Sequence, residues 1–329
     1  MTAEQYETIN SPLSSIDCSF GHYLTKRKMM ETRRMDGNGI PDYAFAMDYD
    51  CRKKLDSIPR FYDTAKAITG TYVSRMTHEY TRTSMAAGPT QFPEIYRISC
   101  DCAKTLGIGM PNVFILNNPT MNAFTCAMDD IEPMVVIHSG LIERLTPGEL
   151  KYIIGHECGH IQNYHSAYQY LGQLVLGIGL GATVGVVAGI SHLLAELMTK
   201  GSNALLAAWS RAAEVTADRA GMICADRPED CYAALAKIMY GGIIGSEQEI
   251  DYDAIRAQLE HTVSSVAKYS EMLDSHPAIA RRIAALQEFR ECRIYYEWRP
   301  DQKQPGQMMR DKEETDGRCR RYIDLSKNG

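Results

Sequence analysis

Apolar residues recur at helical spacing along several stretches of the chain. From about residue 60 to residue 85 they return every three or four positions, which predicts an amphipathic helix. Residues 93–106 carry a second pattern of this kind. A third follows Thr146-Pro-Gly-Glu149, which offers an N-cap residue, a proline at the first helical position and the glutamate of a capping box. The chain is therefore predicted to be mostly helical.

The periodicity changes between the second and third of these helices. Three short runs of β-prone residues lie there, separated by asparagine, proline and aspartate: residues 113–116, 123–127 and 134–138. They predict a small three-stranded meander. The expected fold class is α+β, mostly helical with a small three-stranded sheet.

Composition limits the classes of function. The chain has 329 residues and is 45% hydrophobic, enough for one large core or two domains, and its net charge of -6 argues against nucleic acid as a partner. Its ten cysteines show no CxxC pair, and no apolar secretory segment opens the chain. Reduced thiols in the cytoplasm are the simplest interpretation.

The predicted third helix contains the pattern HExxH. His156 and His160 are one helical turn apart, so both imidazoles can bind one metal ion, and Glu157 can take a proton from a metal-bound water. His165 lies nine residues beyond His156, on the opposite side of such a helix, and is not expected to bind the metal. An amphipathic helix with two hydrogen-bonded histidines remains the alternative, because a third ligand is missing.

A candidate for that ligand lies further along the chain. Glu214 and Asp218 are four residues apart in an alanine-rich segment of high helix propensity. Zinc sites with two histidines and one glutamate take the glutamate from a second helix, and the histidines donate their other N–H to a carboxylate. Glu214 fits the first role and Asp218 the second. The alternative is a solvated acidic helix face, which would be the better interpretation if the segment were considered without the HExxH motif.

These motifs resemble those of the zinc metallopeptidases of the gluzincin group, which includes HtpX-like proteases and CAAX prenyl endopeptidases. The resemblance covers about residues 92–286, and its motifs occur in the family's order: Asn122-Ala-Phe124, Val136-Ile-His-Ser-Gly-Leu141, His156 to His160, Ser210-Arg-x-x-Glu214-x-x-Ala-Asp218, and Ser275-His-Pro277 followed by Arg282 and Ile283. It implies a zincin-type fold whose sheet borders the active-site cleft. It also implies that Glu214 is the third zinc ligand and that Asp218 lies behind the site.

Two further residues are assigned by the same resemblance. Asn122 matches an asparagine at the family's sheet edge, which implies that it holds the substrate main chain, although it can also be a turn asparagine. His276 stands where the family has a histidine, and it is our candidate for stabilising the oxyanion of the tetrahedral intermediate. A capping or interdomain histidine is the alternative. Arg282 is expected to pair with Asp218 or with neighbours of Glu214.

The expected function is that of a zinc metalloendopeptidase with one Zn²⁺ per chain and a polypeptide substrate. Glu157 would act as the general base and then pass the proton to the leaving amine. Two alternatives stay open: a catalytically weak, chaperone-like adaptor that binds polypeptide, and a membrane-embedded protease of the HtpX or CAAX type. The intact Glu157 counts against the adaptor, because a binding protein has no use for that base.

One apolar run bears on the membrane alternative. The run from Leu171 to Ile190 has no charged residue and is long enough to span a bilayer. A single crossing would, however, place His156 and Glu214 on opposite sides, and the return segment contains charged residues that are costly at mid-bilayer. We therefore expect this run to pack on the protein, a dimer partner or a membrane surface, with the protein cytoplasmic or membrane-associated.

These expectations divide the chain into three parts. Residues 1–90 are an N-terminal helical extension, residues 91–298 the zinc metallopeptidase domain, and residues 299–329 a polar C-terminal tail. The alternative for the extension is a segment that covers the metal cleft, with Cys18 or Cys51 as a thiolate ligand.

Overall fold

The structure is a computed structural model that describes residues 35, 40–58, 61–128, 131–170, 202–261 and 278–325. Its α-helices are α1 (Ala46–Asp56), α2 (Phe61–Thr83), α3 (Pro93–Leu106), α4 (Ser139–Arg144), α5 (Pro147–Gln162), α6 (Ser202–Cys224), α7 (Pro228–Tyr240), α8 (Tyr252–His261), α9 (Ile279–Arg290), α10 (Arg293–Trp298) and α11 (Lys312–Ile323). Its strands are β1 (Met85–Ala86), β2 (Asn112–Leu116), β3 (Ala123–Met128) and β4 (Ile131–His138). The fold is α+β and mostly helical, as predicted.

The strands form one mixed sheet in the order β1-β2-β4-β3. β4 runs parallel to β2 and antiparallel to β3, and β1 pairs antiparallel with β2. The prediction of a three-stranded meander is wrong in two respects, because a fourth strand is present and β2 does not pair with β3. β1 has only two residues, too few to show an alternating pattern, and the pairing of β2 with β4 depends on contacts between distant residues.

The central strand β4 is buried on both faces. Met134, Val135, Val136 and Ile137 are each fully buried. Val135 and Ile137 belong to the main core, whereas Met134 and Val136 belong to a second hydrophobic cluster on the other face of the sheet. β3 is left at the edge of the sheet, where it contacts α5.

The local prediction for α5 is confirmed at its start. The backbone N–H of Glu149 donates to the Thr146 hydroxyl at 3.3 Å, and the Glu149 carboxylate accepts from the Thr146 N–H at 2.7 Å, which completes the capping box. The same carboxylate pairs with the buried Lys237 of α7 at 2.8 Å. The first turn of α5 is therefore fixed by both local and distant partners.

Helices α1 and α11, which lie far apart in the sequence, both pack against α6. Their shared hydrophobic cluster includes Phe45, Leu55, Trp209, Cys319 and Ile323. A buried ion pair, Arg219 to Asp316 at 2.7 Å, joins α6 to α11. Residues 312–323 are therefore a packed helix, and the prediction of a polar tail is wrong for them. The many charged residues of α11 obscure, in the sequence pattern, the narrow apolar face with which this helix packs.

Among the described residues, every helix falls short of the length or the apolar character that a bilayer crossing requires. The run from Leu171 to Ile190, His276 and Cys18 lie outside the described residues. What was expected of them therefore remains a prediction.

Candidate metal centre

Helices α5 and α6 approach each other closely because α5 has glycine at the points of contact. A Cβ added at Gly159 would lie 2.6 Å from the Ala220 Cβ, and one added at Gly155 would lie 2.6 Å from the Cys224 Cβ. Ordinary contacts between carbon atoms are about 3.5–4.0 Å, so neither place has room for a methyl group. The two glycines bring together the helices that carry the HExxH motif and Glu214.

The side chains of His156, His160 and Glu214 converge where these helices meet. His156 Nε2 lies 3.1 Å from His160 Nε2 and 3.6 Å from Glu214 Oε2, and His160 Nε2 lies 3.5 Å from Glu214 Oε1. Atoms that bind zinc tetrahedrally at about 2.0–2.2 Å lie roughly 3.3–3.6 Å apart. All three side chains are buried, so the spacing and the chemistry of this group fit a zinc ion.

A carboxylate and an arginine orient His156 from behind. His156 Nδ1 lies 2.9 Å from Asp218 Oδ1, and since a carboxylate only accepts, Nδ1 carries a hydrogen; in the neutral ring, Nε2 then keeps its lone pair. Arg282 donates to both oxygens of Asp218, at 2.5 and 2.9 Å, and its Nη1 lies 3.3 Å from Glu214 Oε2. Burial raises the pKa of Asp218, but Arg282 and the hydrogen bond from His156 bring it down to about 2. Asp218 is therefore ionised at neutral pH.

His160 has a different neighbour. Its Nδ1 lies 2.8 Å from His165 Nδ1, and His165 Nε2 lies 3.0 Å from Asp48 Oδ2. Burial lowers the pKa of His160 to about 3, despite the opposing charge of Glu214, so the ring is neutral at physiological pH. The prediction that His165 lies on the far side of the helix is wrong, because α5 ends at Gln162 and helical spacing does not extend to residue 165.

Glu157 is held beside this group by the edge strand. The hydroxyl of Thr125, in β3, donates to Glu157 Oε2 at 2.6 Å. Burial raises the pKa of Glu157 and the charge of Glu214 adds to the rise, whereas His156 and the Thr125 hydrogen bond oppose it. A carboxyl group with a raised pKa is better matched to proton transfer near neutral pH than an exposed glutamate.

A cavity of about 500 Å³ opens beside β3, and its lining includes His156, Glu157, His160 and Glu214. Apolar side chains from α2, β3, α5 and α7 complete much of its lining. Asn122 also lines it, is exposed, and accepts a hydrogen bond from the His138 N–H through its backbone carbonyl at 3.0 Å. The asparagine thus lies at the start of the edge strand, and its role toward a substrate stays a prediction.

Four residues of this arrangement were not identified from the sequence: Asp48, Thr125, Tyr152 and His165. Of these, only Tyr152 has a signal in the sequence, because it lies one helical turn before His156. In the structure its hydroxyl donates to Asp218 at 2.7 Å. Cys51, considered above as a ligand, is not part of the converging group, and burial raises the pKa of its thiol to about 11.

Comparison with known proteins gives the family. The sequence profile of Peptidase family M48 matches residues 89–290, which is more than half of the chain. The chain belongs to peptidase family M48. The resemblance drawn from the five motifs is therefore confirmed at the level of the family.

Relatives within the M48 family differ in length from this chain. The plastoglobule-localized metallopeptidase 48, chloroplastic, of Arabidopsis thaliana is 28% identical over 218 residues, which are 66% of this chain and 60% of that protein. A protease HtpX homolog of Levilactobacillus brevis is 28% identical over an alignment of 225 residues, and the match covers 60% of this chain and 74% of that protein. The chain thus spans less than two thirds of the Arabidopsis relative. The crystal structure of S. mikatae Ste24p covers 73% of this chain and 62% of its own, with 16% identity and a TM-score of 0.40.

Proposed function

We propose that the protein is a zinc-dependent endopeptidase. The observation that carries the proposal is the convergence, at one cavity, of three buried ligand atoms and the carboxylate of Glu157. His156, His160 and Glu214 would hold one zinc ion per chain. Zinc bound there would lower the pKa of a water ligand toward neutrality and polarise the scissile carbonyl.

The protein's own residues then carry the proton and orient the ligands. Glu157 accepts the proton of the attacking water and passes it to the leaving amine. Its Oε2 is occupied by the Thr125 hydroxyl, which leaves Oε1 for the proton. Asp218 keeps the ring of His156 in the tautomer whose Nε2 lone pair can bind the metal. His276 is proposed to donate to the oxyanion that develops on the scissile carbonyl.

The proposed substrate is an extended polypeptide that adds to the edge of β3. Main-chain pairing with a sheet edge tolerates many sequences, and Asn122 would hold the substrate main chain at the start of this edge. Because pairing along a strand engages residues on both sides of the scissile bond, it favours cleavage within a chain over removal of terminal residues. Association with a membrane surface or a second copy through Leu171 to Ile190 is proposed from the apolar run alone.

An internally quenched peptide library with both termini blocked tests this function. We expect the wild type to cleave it with one zinc per chain, and Glu157→Gln to keep zinc but react at least about 100-fold more slowly. Glu143→Gln is the control, because this glutamate is exposed on α4 and should leave the rate unchanged. A wild-type protein that binds zinc and peptide but cleaves nothing would favour the adaptor. Equal zinc content in Glu214→Gln would refute the ligand assignment.

A further inference from the structure

The end of helix α5 sets His165 against the candidate metal centre. The N–H of Tyr164 donates to the Ile161 carbonyl at 3.2 Å, and the N–H of His165 donates to the His160 carbonyl at 3.1 Å. This pair of hydrogen bonds is a Schellman motif, in which the chain turns back on the helix through a left-handed residue. Tyr164, with a φ of 57°, is that residue. His165 therefore lies beside His160 although it is outside the helix.

His165 links His160 to a carboxylate. His165 Nε2 lies 3.0 Å from Asp48 Oδ2, and because the carboxylate can only accept, that nitrogen carries the ring hydrogen. In the neutral ring the other nitrogen, Nδ1, is then an acceptor, and it receives the Nδ1–H of His160 at 2.8 Å. This leaves His160 Nε2 with a lone pair, and that atom lies 3.5 Å from Glu214 Oε1.

Asp48 is in turn fixed by residues of α6. Trp209 Nε1 donates to its Oδ1 at 2.9 Å, and the Thr216 hydroxyl donates to its Oδ2 at 2.8 Å. Asp48 and His165 are both fully buried, at 0% exposure. Burying a carboxylate and an imidazole is costly unless their polar atoms are paired, and here the pairing leads to a candidate metal ligand.

We propose that Asp48 and His165 are positioning residues of the metal centre, which fix the ring and the tautomer of His160 so that its Nε2 faces the ion. The inference rests on the proposed zinc site and adds two residues to it. His156 has a carboxylate directly behind it, whereas His160 reaches one through a second imidazole. Asp48 belongs to α1, before the region matched by the family, so α1 is part of the metal centre rather than an appended extension.

Four variants of the full chain test this inference. His165→Leu removes both hydrogen bonds, His165→Gln keeps an acceptor for the Nδ1–H of His160, and Asp48→Asn removes the charge. Tyr43→Phe is the matched control, because the Tyr43 hydroxyl donates to Gln162 Oε1 at 2.6 Å and so joins the N-terminal segment to the end of α5 without a histidine. The measurements are the zinc Kd by chelator competition, the absorption spectrum of the Co²⁺-loaded protein, and urea unfolding of the metal-free protein.

We expect zinc affinity to fall 10- to 100-fold in His165→Leu and Asp48→Asn, with a changed Co²⁺ spectrum, and His165→Gln to show a smaller but measurable loss. Tyr43→Phe should lose stability while its zinc Kd and Co²⁺ spectrum stay those of the wild type. Wild-type affinity and spectra in both Asp48→Asn and His165→Gln would overturn the inference, even if His165→Leu failed to fold. Absence of zinc binding by the unmodified protein would instead refute the zinc site itself, and the inference with it.

Discussion

Replacing Gly159 by alanine tests whether the metal site depends on the close approach of α5 and α6. Within a helix this change normally stabilises a protein by roughly 0.5–1 kcal/mol, because it removes backbone freedom from the unfolded chain. At Gly159, however, the new Cβ would lie 2.6 Å from the Ala220 Cβ and 3.1 Å from the Ala217 Cα. These atoms belong to a packed helix and cannot rotate away, so the two helices must separate.

The size of the effect follows from that overlap. Restoring contacts of about 3.5–4.0 Å requires α6 to retreat from α5 by roughly 1 Å. Overpacking of this kind costs about 1–3 kcal/mol, against which the gain in helix propensity is roughly 0.5–1 kcal/mol, so the net loss is up to about 2.5 kcal/mol. The same movement widens the 3.5 Å separation between His160 Nε2 and Glu214 Oε1. Since metal sites keep their bond lengths within about 0.2 Å, zinc affinity should fall on the order of 10-fold or more.

Urea unfolding of the metal-free protein and zinc competition with a chelator measure both effects. Gly317→Ala is the control, because Gly317 lies in α11, is exposed, and a Cβ added there meets nothing within 4 Å. This control should be slightly more stable than the wild type and bind zinc normally. If Gly159→Ala matched Gly317→Ala in both assays, glycine packing would not set the ligand spacing, and the reasoning would be refuted.

Three further predictions concern the partners of the site and of α6. Thr125→Val removes the hydroxyl that holds Glu157, so kcat should fall about tenfold at unchanged zinc content. Thr125→Ser keeps a hydroxyl and should keep the wild-type kcat, whereas a wild-type kcat in the valine variant would contradict the prediction. Arg282→Met removes a cation that pairs with the buried carboxylates of Glu214 and Asp218, so the free energy of unfolding of the metal-free protein, measured in urea, should fall by about 3–5 kcal/mol. Saturating zinc should restore part of this loss, and equal losses with and without zinc would count against the prediction. Asp316→Ala leaves the buried Arg219 without its carboxylate and should lower the free energy of unfolding by about 3–5 kcal/mol in the same assay. A loss below about 1 kcal/mol would show that the ion pair contributes little to stability.

The residues that converge could be predicted because their signals are local. His156 and His160 are one helical turn apart, and the capping box at Thr146 specifies where their helix begins. Glu214 and Asp218 repeat the same spacing on α6, so each helix face could be recognised by itself. That the two faces meet was implied only by the resemblance to a known family, since no local pattern specifies how two helices pack.

The strand order and the partners of His160 could not be predicted, because they depend on residues far apart in the sequence. Asp48 and His165, whose side chains are hydrogen-bonded, are separated by 117 positions. The turn that brings His165 back to α5 needs a left-handed residue, which a glycine would have signalled but Tyr164 does not. Thr125 likewise gives no signal, because a threonine in a short strand is typical of any sheet.

The borders of the family match, residues 89 and 290, do not coincide with the borders of the physical folding unit. Asp48 lies before the first border and Asp316 after the second, and each is a buried carboxylate bonded to a side chain inside the match, His165 and Arg219 respectively. A recombinant fragment trimmed to those limits would retain every described residue proposed to carry chemistry, yet it would leave His165 and Arg219 buried without their carboxylates. Poor expression or inactivity of such a fragment would therefore be no argument against the activity proposed for the whole chain.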